Sequence, residues 1–96
     1  MIVHIALFKF KSSVSGDRID KLINDTRALK EKIPSVINLY AGKNFSEWNE
    51  GYTHAVVVLT KDREGLNAYR KHKFHMPIAR RFEDMEDHSI GFDFES

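Results

Sequence analysis

The chain has 96 residues, 42% of them hydrophobic and 30% charged, which is one globular domain with enough length for a single core. Fifteen basic against 14 acidic side chains leave a net charge of +1, so electrostatics gives no footing for nucleic acid or an anionic membrane surface. With no cysteine there is no disulfide framework and no thiolate nucleophile or thiolate metal site.

The first element is a strand over Ile2 to Lys11. Ile2, His4, Ala6, Phe8 and Phe10 fall on one face; Val3, Ile5 and Leu7 fall on the other. This apolar run is too short to cross a membrane, and Lys9 and Lys11 follow it with no small-residue cleavage site. A cytoplasmic location is therefore expected. Ser12 to Gly16 supplies turn and capping residues, and a helix follows over Gly16 to Lys32. Its apolar positions are Ile19, Leu22, Ile23 and Leu29, with Thr26 on the same stripe, and Pro34 stops it. Val36 to Asn44 reads as a second strand, interrupted by Gly42 and followed by a polar loop that carries Trp48. Whether Trp48 folds over a sheet edge or meets another copy is left open by the sequence.

The third strand is Glu50 to Leu59. Tyr52, His54, Val56 and Val58 share one face; Thr53, Ala55, Val57 and Leu59 share the other. A second helix starts near the N-cap Asp62 and carries Leu66, Ala68 and Tyr69. His72 to His75 leads into a further helical piece over Met76 to Met85, where Pro77 is tolerated in the first turn. Asp87 to Glu95 is the last strand. The order strand, helix, strand, strand, helix, strand predicts an α+β, ferredoxin-like βαββαβ fold with one four-stranded sheet. Both helices are expected on one face, with the first and third strands as parallel neighbours at the centre. The opposite face, with Val3, Ile5, Leu7, Ala55, Val57 and Leu59, is then apolar and uncovered. Its expected cover is the same face of a second copy, which makes the chain a homodimer.

Three histidines and a tyrosine are the candidates for chemistry. His4 and His54 share a parity that points both toward the helices, and His75 and Tyr69 come from the second helical region. Imidazoles titrate near neutrality and act as general bases, and a tyrosine hydroxyl can polarise a carbonyl. Convergence on an apolar pocket would suit proton abstraction beside a carbonyl group. The expected pocket wall from the strands is His4, Ala6, Phe8, His54 and Val56. The competing reading is structural: buried histidines also clasp strands and helices together by hydrogen bonds. His72-x-x-His75 has no third ligand in sequence, so no metal is assigned, and no cofactor motif is present.

An ordered set of residues carries a resemblance. His4 with Phe8-Lys9-Phe10-Lys11, then Gly42-Lys43-Asn44, Glu50-Gly51-Tyr52-Thr53-His54, Leu66-x-x-Tyr69-x-x-His72-x-x-His75 and Phe92-Asp93-Phe94 resemble the stress-responsive dimeric A/B barrel (Dabb) family over nearly the whole chain. The resemblance implies a ferredoxin-like fold whose sheets pair face to face in a dimeric α/β barrel. It also implies one of two functions. Polyketide cyclases of the family perform a cofactor-free intramolecular aldol condensation on a carbonyl compound; their pocket histidines match His4, His54 and His75. In them the position matching His75 acts as base, and that matching Tyr69 assists at the carbonyl. A further pocket tyrosine of those cyclases is Thr26 here, which changes the pocket's shape. Some plant members are stress-induced proteins that assemble into rings, and the alternative reading for this chain is accordingly a non-catalytic stress-response or small-molecule-binding homo-oligomer.

Overall fold

A computed structural model describes all residues from Met1 to Ser96. The chain forms β1 (Ile2–Phe10), α1 (Gly16–Arg27), a single helical turn α2 (Leu29–Lys32), β2 (Val36–Lys43), β3 (His54–Thr60), α3 (Arg63–Lys71), α4 (His75–Met85) and β4 (Glu86–Glu95). Side chains close the helix starts as the sequence suggests. Ser15 Oγ accepts from the Arg18 amide at 3.3 Å, and Asp62 Oδ1 accepts from the Gly65 amide at 2.8 Å.

Two element boundaries differ from the sequence-based expectation by more than one residue. The first helix breaks at Ala28 instead of running to Lys32. Two residues earlier the Thr26 hydroxyl donates to the Leu22 carbonyl at 2.7 Å, a back-bond that weakens and bends a helix. The third strand begins at His54, four residues late, because Glu50 (φ 51°) and Gly51 (φ 86°) adopt left-handed conformations that end the preceding loop.

The four strands make one sheet in the order β2-β3-β1-β4. β1 and β3 are central neighbours as expected, but they run antiparallel rather than parallel, with His4 opposite Val58 and Phe8 opposite His54. The crossover through α1 returns β2 parallel to β1, and the β2–β3 hairpin then reverses the direction. The face shared by Ile2, Phe8, Leu39, Val56 and Val58 is buried under the helices, against Leu22, Ile23, Leu29, Leu66, Ile78, Phe82 and Met85. Large apolar side chains of this kind contribute about 1.5–3 kcal/mol each on burial.

The other face has no helix on it. Val3, Ile5, Leu7, Ala55, Val57 and Leu59 are only half-buried there. Register places Ile90, Phe92 and Phe94 of β4 opposite Leu7, Ile5 and Val3, and Tyr40 of β2 opposite Val57, so all four join this face. Phe92 keeps 61% of its surface exposed. No helix is long and apolar enough to cross a membrane.

Candidate active site

Under the helices a cavity of about 170 Å³ opens between β1, the end of β4 nearest α4, and the facing sides of α3 and α4. The structure brings His4, Ala6, Phe8, Thr26, Val56, Tyr69 and His75 together around it. Each arrives for a local reason. His4, Ala6 and Phe8 are alternate residues of β1, and Val56 lies opposite Ala6 on β3. Tyr69 is on the inward stripe of α3 and is 3% exposed. His75 opens α4, where the chain turns sharply after His72.

The geometry at His75 defines its chemistry. Its Nδ1 lies 3.0 Å from the backbone carbonyl of Arg70. A carbonyl only accepts, so Nδ1 carries the proton and Nε2 holds the lone pair. Burial, with smaller contributions from the charges of His4, Arg70 and His72, pushes the His75 pKa below the ordinary histidine value, against the opposing pull of the Arg70 carbonyl. The ring is thus a neutral base at neutral pH. The Tyr69 ring packs on it with centroids 4.3 Å apart, and burial pushes the phenol pKa up to about 12, so the hydroxyl keeps its proton. His4 completes the group, its ring 6.3 Å from that of Tyr69.

Two residues that the sequence reading did not single out hold this group in place. Asp93 of β4 sits opposite His4 and accepts from its Nδ1 at 2.5 Å, and Arg70 donates to the other carboxylate oxygen at 2.6 Å. Burial raises the Asp93 pKa, but the hydrogen bonds from His4 and Arg70 outweigh it and leave the carboxyl below its ordinary value. The same Arg70 thus anchors both histidines, through its guanidinium and through its carbonyl. The signal in the sequence was the parity of Asp93, which is the one charged residue in Phe92-Asp93-Phe94 and faces the helices.

His54 is not part of this group, contrary to the expectation that it shares the cavity with His4 and Tyr69. It does share their face of the sheet. Because β1 and β3 are antiparallel, however, their starts lie at opposite ends, and His54 pairs with Phe8 rather than with His4. It is buried (7% exposed), hydrogen-bonded through Nδ1 to Thr53 Oγ1 at 2.8 Å, and packed edge-on to Phe10. It lines a separate shallow hollow with Asp20, Asn24, Arg27 and Lys43. The His72–His75 pair is also divided in its bonding, since His72 Nδ1 accepts from the Phe74 amide. No three His, Cys, Asp or Glu side chains converge as a metal-holding group.

Four antiparallel strands in this order, helices on one face, an apolar open face and a small cavity beneath the helices define a ferredoxin-like α+β domain. The sequence profile of the Stress responsive A/B Barrel Domain matches residues 2–96, and the chain belongs to that family. It is 25% identical over 95 residues to olivetolic acid cyclase of Cannabis sativa, an alignment covering 97% of this chain and 94% of that protein. It is 28% identical to the stress-response A/B barrel domain-containing protein HS1 of Arabidopsis thaliana, over 97% of this chain and 87% of that one. Among solved structures, a dimeric ferredoxin-like protein of unknown function from Thermobifida fusca superposes with a TM-score of 0.89 at 26% identity, covering 99% of this chain and 90% of the other.

Proposed function

We propose that this chain is a cofactor-independent enzyme of the cyclase or lyase type, acting on a small carbonyl compound, with His75 as the base and Tyr69 as the donor to the carbonyl oxygen. The observation that carries this reading is the fixed tautomer of His75: Nδ1–H is held by the Arg70 carbonyl, and Nε2 remains the basic nitrogen beside the cavity. Nε2 removes a proton from the carbon next to the carbonyl, and the Tyr69 hydroxyl donates to the oxygen as negative charge develops there. The resulting enolate carbon attacks a second carbonyl carbon, forming a C–C bond. The new alkoxide then takes back the proton from His75, so no external acid is consumed. Similarity to a cyclase at 25% identity supports the class of reaction.

Exchange into deuterated water tests the first step without knowledge of the natural substrate. Small methyl ketones and 3-oxo esters are incubated with the protein and followed by NMR. Deuterium should enter the α-carbon faster with the native chain than with His75→Ala. Equal rates for the two proteins would remove the base from the proposal.

The working unit is a homodimer joined through the open sheet face, with Val3, Ile5, Leu7, Ala55, Val57 and Leu59 at its centre. The half-buried state of these side chains and the exposed Phe92 beside them support it. A second reading, a stress-response or ligand-binding homo-oligomer without turnover, is favoured by the 28% identity to the Arabidopsis stress-response protein. The same exchange experiment separates the two, because a pure binder leaves the α-proton in place.

A further inference from the structure

His54 is buried, titratable and unused by the reaction above. Register pairs it with Lys43 across β3 and β2, so both side chains lie on the helix-covered face, at the end of the sheet away from His4. The first helix supplies the facing wall. Asp20, Asn24 and Arg27 stand at i, i+4 and i+7 on one side of α1, and with Ile23, Lys43 and His54 they line a hollow of about 230 Å³.

This hollow holds fixed donors that have no acceptor. Arg27 Nε donates to the Ala41 carbonyl at 2.8 Å and Nη1 to Asn24 Oδ1 at 3.0 Å, which pins the guanidinium against the β2 edge. Its charge is nonetheless unmatched. The ion pairs of the molecule include neither Arg27 nor Lys43, and Asp20 in the same hollow pairs with neither. His54 is 7% exposed, with Nδ1 bonded to Thr53 Oγ1. Its Nε2 has no partner, and the polar side-chain atoms sealed away without one belong to Ser35 and Glu86, so Nε2 opens into the hollow. The charged groups facing the ring are Asp20 and Arg27 from α1 and Lys43 from β2, while β1 presents Phe10. Nε2 carries a hydrogen in the charged ring, and in the neutral ring when the Thr53 hydroxyl donates to Nδ1.

We propose that this hollow binds a phosphate group that keeps one proton: Arg27, Lys43 and His54 Nε2 donate to its oxygens, and Asp20 accepts from its P–OH. Donors from three elements converge from three directions, which suits a tetrahedral anion. A flat carboxylate suits the two-pronged edge of a free guanidinium, but Arg27 has already given N–H groups to Ala41 and Asn24. Arg27 and Lys43 against Asp20 leave one positive charge, the match for a monoanion. The lone acceptor among the donors discriminates against an oxyanion with no hydrogen to give. This site does not depend on the carbonyl reading of the His75–Tyr69 cavity.

Inorganic phosphate, glycerol 2-phosphate and sulfate, titrated into the full chain at about pH 6 and fixed ionic strength, decide it through amide chemical shifts. Near this pH phosphate and its monoesters retain a P–OH in good part, and sulfate has none. Phosphate should bind about tenfold tighter than sulfate, with shifts centred on Arg27, Lys43 and His54. In Asp20→Asn that preference should fall to about twofold or less, because an amide donates to sulfate as readily as it accepts from P–OH. The native-chain series stands by itself if the variant does not fold. Glycerol 2-phosphate binding as tightly as phosphate, or tighter, identifies the occupant as one end of an organic phosphate; weaker binding of the ester identifies the free ion. Sulfate binding as tightly as phosphate would overturn the inference. So would shifts no larger than chloride produces, or shifts centred on the Arg18–Arg81 surface instead.

Discussion

Along β1 and β3, alternate residues serve two faces of one sheet, and the two faces solve opposite problems. The helix-covered face has its apolar cover already, so it can include His4, His54 and Thr60 among Phe8, Val56 and Val58, provided that each polar group finds a partner. The open face has no cover of its own. Along β1 and β3 it carries Val3, Ile5, Leu7, Ala55, Val57 and Leu59, and polar residues return only beyond them, where Lys9 sits over the Tyr52 ring and Tyr52 bonds His88. A face left bare and apolar calls for protein. A face with a gap among its polar groups calls for a small molecule.

The largest effect should come from breaking the open face. Light scattering at micromolar concentration should give twice the 11.2 kDa chain mass. Val57 lies mid-sheet, opposite both Ile5 and Tyr40, so Val57→Lys places an ammonium in the centre of a dry contact. Stripping water from such a charge costs several kcal/mol, enough to abolish association. A native chain that is a folded monomer at this concentration would end the proposal of a sheet-to-sheet dimer.

Breaking the covered face should cost rate rather than assembly. His75→Ala should lower α-proton exchange by about 10²–10⁴-fold, the usual contribution of a general base, and leave the mass in solution unchanged. Tyr69→Phe keeps the ring packed on His75 and removes only the donor, so a loss of about 10²–10³-fold is expected. If His75→Ala instead lowers the melting temperature by several degrees and leaves exchange untouched, the imidazole is a clasp between α3 and α4.

How much of this was legible beforehand depended on the range of the interaction. Period-two alternation identified β1 and β3 and both of their faces, because side-chain parity is a local property. The N-caps Ser15 and Asp62 were readable for the same reason. The direction of β3 relative to β1 is not a local property, and the position of His54 relative to His4 depends on it. Direction is fixed by how the crossover and the hairpin combine, and no single segment's composition records it. The break at Ala28 turns on one hydroxyl of Thr26 choosing the Leu22 carbonyl, a choice its sequence position does not reveal. Parity alone turns Asp93 toward the helices, but its pairing with His4 and Arg70 depends on register between β1 and β4 and on a turn of α3, long-range facts that spacing does not contain.

The smallest expected effect separates the two ends of the covered face by pH. Burial pushes both His54 and His75 below the ordinary histidine value of 6.5, helped at His54 by the charge of Lys43 and opposed there by Asp20. In the unfolded chain these imidazoles take up protons at about pH 6.5, before the folded protein does. Stability should therefore be full above that pH and decline as pH falls through the window down to the lowered folded values. A second decline belongs to Asp25, whose pKa is lowered chiefly by the Arg81 hydrogen bond, and to Asp93; it begins below their ordinary value of 3.8. Urea midpoints measured between about pH 8 and about pH 5 should show the histidine shoulder. His54→Gln should shrink it without altering the exchange reaction, because His54 lies in the other hollow. His75→Gln should shrink it and stop exchange together. A midpoint that is flat across this range would show that neither imidazole is held neutral by burial. Loss of exchange in His54→Gln would instead show that the two ends of the face act as one site.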